Sequence, residues 1–162
     1  MRRLQPARLL AVTVPAALLL GAYVSQYGFG LYPCEMCWWQ RYAHFAVLVP
    51  AVLSFFAPAQ WAPWLVRLAG VLLLVAAFLG LYHAGVEYGW WEGITSCAMN
   101  ARVGSGSALD AIMNAPLTRC DIAPWTLFGI SLAGWNFLVS AVAGVSVLRL
   151  GAQVDARRVD LS

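Results

Sequence analysis

The chain contains no lysine, and only 10% of its 162 residues are charged. A soluble domain carries roughly 25% charged residues, so water is not the main solvent this sequence is built for. Its ten basic residues are all arginines, scattered rather than clustered on one helix face, and the net charge is only +3. Nucleic-acid binding, which needs a basic stripe or a recognisable motif, has little support. The sequence also lacks an internal repeat, a phosphate-binding loop and a low-complexity segment. The acidic residues Glu87, Glu92, Asp110 and Asp121 are too scattered for a carboxylate site and are expected to be solvated.

What is abundant is apolar. Hydrophobic residues make up 62% of the chain, and there are eight tryptophans, whose amphipathic rings suit membrane interfaces. Four apolar runs, at about 9–27, 42–56, 64–82 and 125–148, predict an all-α membrane protein. The expected architecture is a four-helix transmembrane bundle, one membrane domain over 1–162, with loops at about 28–41 and 83–124. A helical crossing needs about 20 mostly apolar residues. The second run is short and contains Pro50, so its helix is expected either to start earlier, around Cys37, or to tilt less than its neighbours. The first run resembles a signal peptide in having basic residues before an apolar core. It is long for that role, lacks a clear small-x-small site after it, and is read as a span.

Four crossings place both termini and the 57–63 turn on one side. That side holds Arg2, Arg3, Arg8, Arg67, Arg149, Arg157 and Arg158, against Arg41, Arg102 and Arg119 on the other. By the positive-inside rule the termini are cytoplasmic and all four cysteines exoplasmic. Within the second loop, residues 101–107 are rich in glycine and serine and read as mobile. Residues 108–113 have apolar positions at helical spacing, which suits a small surface helix or a packed loop turn.

Those cysteines carry the chemistry. Cys34 and Cys37 form a Cys-x-x-Cys pair after Pro33, ahead of the second span. A helix N-terminus offers unpaired N–H groups and partial positive charge, and both favour thiolate, the reactive form of cysteine. Arg41 lies four residues beyond Cys37, on the same helical face, where its fixed charge supports a thiolate and its N–H groups suit a ligand carbonyl. Glu35 works against the thiolate. Cys97 and Cys120, 23 positions apart, stand in the longest polar stretch. Four cysteines allow three pairings. They could also ligate zinc, although the second spacing is not that of a zinc knuckle. An oxidising exterior favours disulfides.

The chain resembles the bacterial disulfide bond formation protein B family, DsbB, over nearly its whole length. The likeness rests on Pro33-Cys34-x-x-Cys37 with Arg41 four positions on, Gln26 eight positions before Cys34, and His83 at the end of the third span. The stretch Trp125-Thr126-Leu127-Phe128-Gly129 leading to Trp135 adds to it.

The resemblance implies a quinone-linked enzyme of the bacterial inner membrane, with the cysteine loops in the periplasm. Its resting disulfides would be Cys34–Cys37 and Cys97–Cys120. A reduced DsbA-like periplasmic partner would attack Cys97. Cys120 would then attack Cys34, releasing Cys37 beside a ubiquinone or menaquinone drawn from the membrane pool. Arg41 would stabilise the thiolate and the charge on the quinone oxygen, with His83 and Gln26 either as further quinone contacts or as residues that anchor and satisfy helix ends. The DsbA–DsbB–quinone chain is the system known to keep a bacterial periplasm oxidised. His44, inside the second span, is read as bonding across helices. Trp38 and Trp39 are read as interfacial anchors, and Trp135 as packing. No metal is expected. The rival readings are a vitamin K epoxide reductase-like enzyme, whose Cys-x-x-Cys precedes the last helix instead, and a structural membrane protein with passive disulfides.

Overall fold

A computed structural model describes residues 4–95 and 118–159, with side chains as far as Gln153. Cys97, Arg102, Asp110, the 101–107 stretch and the helix expected near 108–113 lie outside the described residues. Four α-helices account for most of what is described: α1 Gln5–Phe29, α2 Glu35–Phe56, α3 Ala62–Glu87 and α4 Leu132–Val159. Neighbours in sequence pack side by side, and α4 closes the ring against both α3 and α1.

Three helices, α1, α3 and α4 over Leu132–Gln153, are long and apolar enough to cross a membrane. The second helix departs from that pattern because its first turns carry Glu35, Gln40, Arg41 and His44. At 22 residues it is still about 33 Å long. It begins at Glu35, seven residues before the apolar run that announced it. Cys34 explains the early start. Its backbone is extended, and its Sγ accepts a hydrogen bond from the Cys37 N–H at 3.2 Å, the work usually done by a serine or aspartate cap.

The fourth helix begins later than its hydropathy implied, at Leu132 rather than near 125. Residues Thr126–Leu127 (β1) and Ile130–Ser131 (β2) form a small antiparallel hairpin instead. Its two-residue turn holds Phe128 and Gly129 at φ 53° and 77°, the left-handed pair that a type I′ turn requires. Apolar content alone cannot distinguish such a hairpin from a first helical turn. Ser131 then caps α4, its Oγ accepting from the Gly134 N–H at 3.1 Å.

The core at one end of the bundle is made of small residues: Ala7, Ala11, Val47, Ala51, Val66, Ala69, Leu73, Ala143 and Val147. Small residues let membrane helices approach closely. Large apolar side chains face outward, as with Leu20, Phe56, Phe78 and Val142, which suits a lipid surround. Gly80 marks a close approach of the α3 and α4 backbones. A Cβ there would sit 2.8 Å from the Phe137 backbone nitrogen and 3.0 Å from Asn136 Nδ2. The opposite end of the bundle gathers the end of α1, the start of α2, the end of α3 and the start of α4, joined by polar side chains.

Candidate active site

Three cysteines meet at that polar end. Cys34 and Cys120 are buried in one cluster with Met36 and Val86, against which Cys37, Trp39 and Tyr82 pack. All three are thiols here, with Cys34 Sγ 2.9 Å from Cys37 Sγ. The Cys120 side chain hydrogen-bonds Cys34 and accepts from Thr95 Oγ1 at 3.6 Å. Thr118 ties the second loop to the first by donating to the Pro33 carbonyl at 3.4 Å.

The two thiols of the Cys-x-x-Cys pair are not equivalent. Hydrogen bonds with Cys120 and Cys37, then burial, push the Cys34 thiol far up. Cys37 moves the other way, because Cys34 donates to its sulfur; burial opposes that shift. Position separates them too. A cavity of about 250 Å³ between the helices is lined by Cys37, Gln40, Arg41, His44 and His83, with Trp135 and Asn136 on α4. A second cavity, of about 460 Å³, lies between the connecting segments and is lined by both Cys34 and Cys37. Cys37 therefore faces both spaces, whereas Cys34 lines only the outer one.

Arg41 is buried, at 5% exposure. Its Nη1 donates to Gln26 Oε1 at 2.6 Å and its Nη2 to the Ala22 carbonyl at 3.2 Å. The guanidinium lies 4.7 Å from the Tyr23 ring centroid and 4.9 Å from that of Trp38. Both rings contribute cation–π attraction. Trp38, expected as an interfacial anchor, is thus part of the arginine's housing. Gln26 does not line the inner cavity; it acts on Arg41. The Arg41 Nε has no hydrogen-bond partner, a buried donor open to an acceptor oxygen.

His83 lines the inner cavity, but both of its ring nitrogens face protein. Nδ1 lies 2.7 Å from Gln40 Nε2. Nε2 lies 3.5 Å from Cys34 Sγ and 3.7 Å from Glu87 Oε1. His83 is therefore tied to the dithiol through Cys34. Glu87 was expected to be solvated; its side chain is 3% exposed and packs one turn beyond His83. Asp121 does stand outside, paired with Arg119 at 2.9 Å. Cys34, Cys37 and His83 place their ligating atoms within 4.8 Å of one another, a donor set that in the reduced state has the composition of a soft-metal site.

Four residues of this polar cluster escaped sequence reasoning: Gln40, Asn136, Ser140 and, in part, Glu87. Asn136 Nδ2 donates to Gln40 Oε1 at 2.6 Å. Asn136 Oδ1 accepts from Ser140 Oγ at 3.1 Å and lies 2.7 Å from His44 Nε2. His44 thus bonds across helices, as expected. The signal available for the others was a polar side chain inside an apolar run, which is rare in membranes and marks function by default.

The sequence profile described as "Disulfide bond formation protein DsbB" matches residues 4–150. The "Disulfide bond formation protein B" of Polaromonas naphthalenivorans is 33% identical, covering 94% of this chain and 95% of its own. That of Azoarcus sp. strain BH72 is 31% identical, covering 92% and 93%, and that of Polaromonas sp. strain JS666 is 31% identical, covering 91% and 94%. No solved structure matches. The cysteines, the buried arginine and the apolar helices sit within a match spanning nearly the whole chain, and the chain belongs to the DsbB family of multi-pass membrane proteins that form disulfide bonds.

Proposed function

We propose that this protein reoxidises a DsbA-like dithiol protein in the periplasm and passes the electron pair to a membrane quinone, ubiquinone or menaquinone. In this reading α2 is the fourth crossing, and residues 28–41 and 83–124 form the periplasmic loops. The termini lie in the cytoplasm of a bacterial inner membrane, as the arginine distribution favours. The observation that carries the proposal is the position of Cys37 between two cavities, with Cys34 and Cys120 behind it and Arg41 beside it.

The sulfur steps balance without an external base. One partner thiolate attacks Cys97 of the Cys97–Cys120 disulfide and expels Cys120 as thiolate. The second partner thiolate then attacks the mixed disulfide, releasing oxidised partner and Cys97. Cys120 attacks Cys34 of the Cys34–Cys37 disulfide, and the bond that breaks expels Cys37. Contact between Cys120 and Cys34 supports that order of attack. The hydrogen bond that steadies the Cys37 sulfur makes it the better leaving group, since a lower thiol pKa leaves faster. Cys97 then attacks Cys120 of the Cys120–Cys34 bond and expels Cys34, restoring the outer disulfide and leaving Cys34 and Cys37 as a dithiol. Cys37, Arg41 and the other residues of the inner cavity would hold a quinone, which would supply a two-electron, two-proton acceptor for this dithiol as the Cys34–Cys37 disulfide reforms.

The inner cavity fits such a ring. Its volume is just below the usual range for small-molecule sites, roughly 300 Å³ and above, so it suits a single substituted ring with its tail running into lipid. Its walls are mostly apolar, and the unpartnered Arg41 Nε supplies a donor for a carbonyl oxygen. Arg41 holds positive charge where negative charge develops, an electrostatic role that water exclusion strengthens.

An anaerobic assay with purified protein, reduced DsbA-like partner and added quinone tests this. The expected result is stoichiometric partner oxidation coupled to quinol formation. Cys34→Ser, which strands Cys37 as a thiolate, is expected to give a visible thiolate–quinone absorption band. Partner oxidation with no quinol, and no band, would refute the proposal.

A further inference from the structure

A string of buried amides and imidazoles runs from the dithiol to the inner wall of the cavity, and one backbone atom sets its polarity. The Met36 carbonyl can only accept, so the end of Gln40 lying 3.3 Å from it is the NH2 group. That NH2 also donates to His83 Nδ1, which leaves Gln40 Oε1 to accept from Asn136 Nδ2. Asn136 Oδ1 must then accept from His44 Nε2. A neutral imidazole carries one N–H and one bare acceptor. His44 is therefore the Nε2–H tautomer, and its Nδ1 holds an unshared lone pair.

That Nδ1 is buried with no hydrogen-bond partner. The residue is 3% exposed and lines the cavity together with Cys37, Gln40 and Arg41. Leaving a buried acceptor unmade is costly, and polar groups within membrane helices mark function by default. Positions 37, 40, 41 and 44 share one face of α2. The step from Arg41 to His44 rises about 4.5 Å along the axis, a span comparable to a six-membered ring. The two residues have opposite chemistry: Arg41 offers only donors, and His44 Nδ1 only an acceptor.

A quinone presents two carbonyl oxygens, which accept; its two-electron reduced form presents hydroxyls, which also donate. We infer that His44 Nδ1 accepts a hydroxyl hydrogen from the reduced ring and so makes this cavity prefer quinol to quinone. This rests on the quinone reading above. The consequence is thermodynamic. A site that binds the reduced form more tightly raises the potential of the ring within it and favours electron departure from Cys37. Each tenfold preference corresponds to about 30 mV for a two-electron couple. His44 is in this sense a specificity-determining residue, set in its tautomer by Asn136.

The test measures binding of a short-tailed benzoquinone and, separately, its quinol to the full chain in detergent, under anaerobic conditions. A Cys34→Ala/Cys37→Ala background prevents electron exchange with either form. His44→Gln retains a donor toward Asn136 but removes Nδ1. It is expected to weaken quinol binding about five- to tenfold, the worth of one hydrogen bond, while changing quinone binding by less than about twofold. Nitrogen-15 NMR of the unsubstituted imidazole gives a second readout: the His44 Nδ1 resonance should move when quinol is added and stay in place with quinone. Equal losses for both forms, or an unmoved Nδ1 resonance with quinol bound, would overturn the role of His44 alone. Binding of neither form to the His44 background would overturn the quinone reading, and this inference with it.

Discussion

Replacing Asn136 by leucine removes the polar centre of the buried string while keeping the side chain's heavy-atom count and branching. Asn136 is 8% exposed and makes two bonds between helices, to Gln40 and His44, and one to Ser140 within its own helix. Ser140 can turn to another backbone acceptor, but Gln40 Oε1 and His44 Nε2 are left buried without a partner. Interhelical hydrogen bonds in membranes average about 0.6 kcal/mol and reach about 1.7, so two give a lower bound of about 1 kcal/mol. Buried groups left unpaired cost about 1–3 kcal/mol each, which raises the expectation to about 2–4 kcal/mol. Equilibrium unfolding in mixed micelles, by titration with a denaturing detergent, measures the loss. A double-mutant cycle with Gln40→Leu isolates the pair, because residues sharing one network couple by about 0.5–3 kcal/mol. The double variant should be more stable than the sum of the two single losses predicts. A loss below about 0.5 kcal/mol for Asn136→Leu, or strict additivity, would mean that the string contributes neither stability nor alignment.

The buried arginine, the close contact of α3 with α4 and the dithiol give three more expectations. Arg41→Lys keeps the charge but loses the planar donor set that reaches Gln26 and Ala22 and stacks between Tyr23 and Trp38; steady-state kinetics should show a higher KM for quinone, a lower kcat, or both, and unchanged kinetics would reduce Arg41 to an anchor. Gly80→Ala drives a methyl against the Phe137 nitrogen and the Asn136 amide, and overpacking of this kind costs about 1–3 kcal/mol, read by the same unfolding assay. Cys37 holds its thiolate to lower pH than a free cysteine because Cys34 donates to it. In the reduced protein its alkylation rate should therefore stay high as pH falls below the ordinary thiol range, and Cys34→Ala should move the midpoint upward; a midpoint unmoved by that substitution would show that the Cys34 bond does not set it.

Much of this was legible in the sequence because membrane helices announce themselves by length and hydropathy. Three of the four do so without ambiguity. The second is masked by its own site: Gln40, Arg41 and His44 lower its hydropathy while serving the cavity. The start of the fourth was obscured for the opposite reason, since Leu127, Phe128 and Ile130 read as helix but form a hairpin that ends at the Ser131 cap. Cys34, Cys37 and Arg41 were legible as a site because Cys-x-x-Cys with arginine one turn on is a local pattern. Their joining with Cys120 is a tertiary fact. The placement of Glu87 is not legible in the sequence, because charge on a single residue predicts solvation unless its neighbours are known, and its neighbour His83 lies one turn back on the same helix.

The asymmetry between the two sulfurs follows from the backbone. The N-cap position turns Cys34 outward from the helix start, where its sulfur satisfies the Cys37 N–H. The cost is that this sulfur becomes a hydrogen-bond acceptor and donor at once, fixed between Cys37, Cys120 and His83. Cys37, three residues on, stands on the face that carries Gln40, Arg41 and His44 into the bundle. A two-residue separation would put the sulfurs on different faces of the first turn, and a longer one would part them along the axis. The Cys-x-x-Cys spacing therefore allows one sulfur to meet a thiol from the loops while its neighbour faces the cavity among the helices. The two sulfurs keep contact across 2.9 Å while facing these different surroundings.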